Sequence, residues 1–132
     1  MRNRLLLIIP LLFICVPVYE RTSGTNGQDI VDAENAAAMW KWHDLTVIAD
    51  HAYQGFSRLE KTKVGMTAWL GTKRYKCDLT ELGRIQDSRL YCSTGEYAHK
   101  RFVSGLCIYT CHGRKIGRIQ PVRLTHWEEV NG

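Results

Sequence analysis

The sequence predicts an all-β domain, a small barrel or sandwich of short strands, and three observations lead there. From Leu45 onward the apolar residues come in runs of strand length rather than at helical spacing. Gly95, Gly105, Gly113 and Gly117 punctuate those runs at turn positions. Only residues 54–60, where Phe56 and Leu59 stand three apart, carry helical spacing in this region. Many short strands with little helix to cover them close on themselves or pack as two sheets.

Residues 1–19 read as an export leader. Arg2 and Arg4 precede 15 uncharged residues broken by Pro10 and Pro17, the pattern of a charged n-region followed by an apolar h-region. The run is shorter than the roughly 20 residues that cross a bilayer comfortably, which favours a signal peptide. Val18 and Tyr19 are not the small residues of a cleavage site, so an uncleaved N-terminal membrane anchor stays open. Cys15 follows Ile14 and does not fit a lipoprotein acceptor. Either reading puts the domain outside the cytoplasm, secreted or anchored to the outer face of the membrane. Residues 20–43 form a stalk and arm: Ser23, Gly24, Thr25, Asn26 and Gly27 lack apolar periodicity, and the alanine-rich residues 30–39 suit a short helix or an irregular arm. The barrel is expected over residues 44–132.

Within it, residues 45–49 are a continuous apolar run and residues 64–70 alternate through Val64, Met66, Ala68 and Leu70. Gly71-Thr72 turns the chain into a strand over 73–79. Further strands are expected at 90–93, 103–110 and 116–125.

A chain of 132 residues has room for one domain. Its net charge is +5, and residues 20–132 carry 16 Lys and Arg against 13 Asp and Glu, or +3. The basic residues are spread along the chain, as on a solvated surface, and nucleic acid is not an expected partner.

The chemistry gathers around Ile108-Tyr109-Thr110-Cys111, with Arg118 seven residues on and His51 after Asp50 upstream. A thiol of ordinary pKa, about 8.5, is mostly protonated at neutral pH and needs an imidazole to hold or shuttle its proton. A guanidinium supplies charge where an oxyanion develops. Cys111 is the expected nucleophile, His51 its proton partner and Arg118 the stabilising cation, a set suited to acyl transfer. Thr110 and His112 flank the nucleophile and are expected to contact substrate. Neighbours on a strand point to opposite faces, so His112 is poorly placed to meet the Cys111 sulfur. Arg114, in the Gly113 turn, and Arg123, late in the strand, are the rival arginines. No cofactor is expected, with a calcium ion at the substrate loop left open: Cys107, Cys111 and His112 lack a second close-spaced ligand pair, and no acidic cluster has evident calcium-ligand spacing.

In order and spacing these residues resemble a sortase. His51 is followed by Phe56 and Leu59 in a short helix, by Val64-Gly65-Met66 leading a strand, by Tyr75 in the next strand, by the aliphatic-x-Thr-Cys strand end at 108–111, and by Arg118 before Ile119. The similarity runs from about residue 45 to residue 124. It implies a closed barrel of about eight strands and a cysteine transpeptidase. Such an enzyme cleaves a threonine–glycine bond in the C-terminal sorting signal of a surface protein or pilin through a thioacyl intermediate. It then joins the protein to an amine of a cell-wall precursor or a pilin lysine. Two departures stand out. Asp50 occupies the place before the histidine where the family usually has glycine, and the loop between Cys111 and Arg118 is short.

Cysteine usage frames the alternative. Without Cys15 the chain holds Cys77, Cys92, Cys107 and Cys111, an even number in an exported protein. A Cys77–Cys92 disulfide would close a loop of about fifteen residues and stabilise by on the order of 3 kcal/mol. Cys107 and Cys111, four apart on one strand, would stand roughly 13 Å apart, too far to bond, so Cys111 is expected free and Cys107 a core thiol. A tight turn at Thr110 would let them bond. The chain would then be a secreted, disulfide-stapled, non-catalytic basic module with Trp40, Trp42, Trp69 and Trp127 as its ligand surface.

Overall fold

Strand pairing begins at the amino terminus of this computed structural model, which describes residues 4–20, 37–50 and 56–130. Arg4–Ile9 (β1) and Ile14–Glu20 (β2) form an antiparallel hairpin with Arg4 opposite Tyr19 and Ile9 opposite Ile14. Leu7, Ile9, Ile14 and Val18 are buried in the core. The segment read from sequence as a leader therefore supplies two strands of the sheet. An uncharged apolar run interrupted by proline looks the same in a leader and in a buried hairpin. Here Pro10 opens a 3-10 turn, Pro10–Leu12, where it has no hydrogen bond to lose. Phe13, at a φ of 54°, then reverses the chain.

The remaining strands are Ala37–Trp42 (β3), Asp44–Asp50 (β4), Thr67–Leu70 (β5), Lys73–Gln86 (β6), Arg89–Tyr91 (β7), Ser104–Cys111 (β8) and Ile119–Glu129 (β9). The barrel thus starts at Arg4 rather than at residue 44, and the end of the expected arm is strand β3. Residues 21–36, the rest of the stalk and arm, lie outside the described residues. The helical stretch expected at 54–60 is a 3-10 helix, Phe56–Lys61, and a single α-helical turn, Ala98–Arg101 (α1), was not anticipated.

Hydrogen bonding runs β5-β1-β2-β3-β4-β8-β9-β6, and a β5–β6 pairing closes the ring. This is a closed eight-strand barrel. β7 adds an extra strand by pairing with residues 84–86 of β6. The β2–β3 and β4–β8 pairings are parallel.

Side chains pack on both faces of the β4–β8–β9 wall. Leu7, Ile48, Leu59, Leu106, Ile108 and Trp127 belong to the larger core. There the Trp127 Nε1–H donates to Thr125 Oγ1 at 2.8 Å, and that hydroxyl donates to the Ile108 carbonyl at 2.8 Å. On the other face Leu45, Val47, Cys107, Val122 and Leu124 pack beneath Cys92, Ala98 and Phe102. A strand covered on both faces reads as an unbroken apolar run, which is why β4 and β8 stand out in the sequence. Glu81 of β6 fastens the cover, accepting from the Ser93 backbone N–H at 2.5 Å and from Arg101 Nη1 at 2.9 Å.

This two-sided packing separates the expected disulfide partners. Cys77 lies in the larger core and Cys92 in the outer cluster, and both thiols are free.

Candidate active site

Cys111 is the last residue of β8, directly opposite Val122, while Thr110 stands opposite Arg123. The ladder continues one step further, where the His112 N–H donates to the Pro121 carbonyl at 2.9 Å. All five cysteines are free, and Cys111 is half-buried. Burial pushes its thiol up from the ordinary range, against a smaller opposing backbone hydrogen bond. Thr110, expected to touch substrate, is only 1% exposed and turns to the opposite face from Cys111.

The parallel β4–β8 pairing runs in register from Asp44 opposite Ser104 to Asp50 opposite Thr110. β4 therefore ends level with the residue before Cys111. His51 follows Asp50 in the sequence and lies outside the described residues.

The structure treats the arginines differently. Arg118 is exposed in a turn bracketed by Ile116 and Ile119, whose backbones exchange hydrogen bonds of 2.8 and 2.9 Å. It precedes Val122 by four residues, roughly 13 Å of extended chain, so the turn carries it away from Cys111. Arg114 is likewise exposed beyond the ladder. Arg123 is held in place: its Nε–H donates to Glu60 Oε2 at 2.9 Å.

The same carboxylate takes His112, whose Nδ1 lies 2.5 Å from Glu60 Oε1. An ionised carboxylate only accepts, so Nδ1 carries the proton in this contact. His112, expected to contact substrate, is thus turned to Glu60 and away from the Cys111 sulfur. Burial disfavours the Glu60 charge, but hydrogen bonds from His112 and Arg123 and their charges outweigh it, holding the carboxyl below its ordinary range. Sequence reasoning missed Glu60, which is 52 and 63 residues from its two partners and has no local signature.

A groove of about 420 Å³ lies on the outer face, lined by Trp40, Trp42, Val47, Leu90, Tyr97, His99 and Tyr109 among others. The Trp42 and His99 rings stack at 4.4 Å, and Trp40 meets Tyr109 edge-on at 6.2 Å. Tyr109 and Cys111 share one face of β8, about 7 Å apart along the strand, so the groove floor leads toward the thiol.

Among the described residues no group of three or more His, Cys, Asp or Glu is arranged to hold a metal ion. Among them, too, no helix is long and apolar enough to cross a membrane.

Neither a protein-family model nor a curated protein matches the chain. Solved structures do. Sortase E1 from Streptomyces coelicolor, with a tripeptide in its active site, superposes with a TM-score of 0.66 at 17% identity, over 97% of this chain and 90% of that one. The pilus-related sortase C of Group B Streptococcus gives 0.64 at 15% identity, over 98% and 68%. A lid mutant of sortase A from Corynebacterium diphtheriae gives 0.62 at 14% identity, over 99% and 73%. The chain has the sortase fold.

Proposed function

We propose that the protein is an extracytoplasmic cysteine transpeptidase of the sortase kind, with Cys111 as nucleophile and His51 as its proton partner. The observation that carries the reading is the free, half-exposed thiol at the end of β8 in a sortase fold, two residues beyond Tyr109, which lines an aromatic groove. The peptide bound in the Streptomyces coelicolor enzyme is consistent with a groove that takes extended substrate.

In this reading the sorting signal of a surface protein or pilin lies along the groove with its threonine carbonyl over Cys111. The thiolate attacks that carbonyl, the carbon–nitrogen bond to glycine breaks, and His51 passes the thiol's proton to the departing amine. The thioester is then attacked by an acceptor amine, which restores the thiol and forms the new amide. A thiol raised by burial has little thiolate of its own, which is the physical reason it needs the imidazole. For the stabilising cation we favour Arg123 over Arg118, because Arg123 stands opposite Thr110 in an ordered contact.

The test is incubation of the full chain with a panel of pentapeptides containing a Thr-Gly bond, with hydroxylamine as acceptor, read by mass spectrometry. The parent should yield the threonine hydroxamate and the released glycine end, and Cys111→Ala should yield neither while melting at the parent temperature. Full turnover by Cys111→Ala would sink the reading.

A further inference from the structure

We propose that Glu60 is a positioning residue of this site, a single carboxylate that holds both Arg123 and His112, one from each arm of the β8–β9 hairpin that presents Cys111. The inference rests on the transpeptidase reading above. One oxygen, Oε2, takes the Arg123 Nε–H at 2.9 Å, and the other, Oε1, takes His112 Nδ1 at 2.5 Å. The two donors come from different arms of the hairpin: His112 follows Cys111, and Arg123 follows Val122, the residue paired with Cys111. The carboxylate thus ties together the residues next to the nucleophile on both arms.

Glu60 is itself firmly placed. Leu59 beside it is fully buried in the barrel core. Thr62 closes the end of the 3-10 helix, its N–H and its hydroxyl both donating to the Leu59 carbonyl, at 3.0 and 2.7 Å. Arg58 Nη1 donates to the Phe13 carbonyl at 2.8 Å, fastening the helix to the β1–β2 turn. An anchored carboxylate fixes the rotamer of a long side chain that would otherwise sample many. The contact is made through Nε, one of five guanidinium N–H donors, and an arginine held there still has both Nη groups for an acyl oxygen.

The inference separates from a plain surface ion pair by what it does to turnover. In the hydroxylamine assay, Glu60→Gln should lower kcat by on the order of ten- to a hundredfold with KM within about twofold, because orientation rather than ground-state binding is lost. Glu60→Asp, which keeps the charge, should recover part of that loss. The rate at which iodoacetamide alkylates Cys111 should stay at the parent value in both variants, which checks that the fold and the thiol's access survive. Turnover by Glu60→Gln within about twofold of the parent, with Cys111→Ala inactive, would overturn the inference alone. So would equal loss in Glu60→Gln and Glu60→Asp. A parent without turnover, or an active Cys111→Ala, would remove the transpeptidase reading and this role with it.

Discussion

β8 carries two thiols on one face, four residues apart, and their surroundings could hardly differ more. Cys107 is fully buried beneath the cover made by Cys92, Ala98 and Phe102, and burial drives its thiol far above the ordinary range, with Cys92 and Glu81 adding to the shift. Cys111, at the strand end, is half-exposed, and burial raises it too. The strand supplies both cysteines with the same backbone and the same facing. What separates a core thiol from a candidate nucleophile is how far the segment between β7 and β8 extends over the sheet.

The largest expected effect tests that contrast directly. Iodoacetamide should modify Cys111 in the native protein and reach Cys107 only through unfolding, giving a rate ratio on the order of a thousand or more for a domain of ordinary stability. Since the thiolate reacts and burial favours the thiol, the Cys111 rate in a His51→Ala variant should keep climbing as pH passes the usual thiol pKa of about 8.5. Peptide mapping of the labelled sites reads both. Comparable labelling of Cys107 and Cys111 would dissolve the comparison.

A second contrast is nested within the same hairpin, between an arginine in its exposed turn and one in its ladder. Arg123→Ala should lower kcat in the hydroxylamine assay by about a hundredfold or more, and Arg118→Ala should stay within about threefold. Arg123→Lys should not restore activity, because an ammonium cannot donate at the Nε position and at the end of the side chain together. The opposite ranking would return the role to Arg118.

How much of this was readable in advance follows from the range of the signals. β4 and β8 showed themselves as apolar runs because both their faces are covered, and the Thr-Cys pair fell where expected, at the end of β8. β1 and β2 did not, because the same apolar pattern serves an export leader and a buried hairpin. β6 was expected to stop at Leu79 but continues to Gln86, through half-exposed residues such as Glu81 and Arg84 whose pairing with β7 and β9 leaves no apolar periodicity. The choice of Arg118 rested on its position next to a strand start, which is where it lies. What the sequence could not give is the register, and it is register that sets Arg123 one step from Cys111's partner and Arg118 four steps away. Glu60 was out of reach for the same reason, since its partners come together only when the barrel closes.

The smallest expected effect concerns the ion cluster that joins the two arms of that hairpin. Glu60 is ionised more readily in the folded protein than an ordinary glutamate: burial opposes the charge, and the hydrogen bonds and charges of His112 and Arg123 overcome it. A carboxyl with a depressed folded pKa contributes stability that is fully present above its unfolded pKa, about 4.3, and is lost as pH falls through the folded value. The unfolded chain takes up the proton first, so acid favours it. Glu60→Gln has no such proton to bind, and its melting temperature should lie below the parent's near neutrality by a few degrees at most, since the partners are partly solvated. The gap should close as the solution is acidified below the unfolded pKa. Arg123→Ala should narrow the gap by itself, because it removes one of the two groups that depress Glu60. A Tm difference between parent and Glu60→Gln that does not change with pH would mean that the carboxylate contributes shape rather than charge, and that the two ends of β8 differ only in their cover.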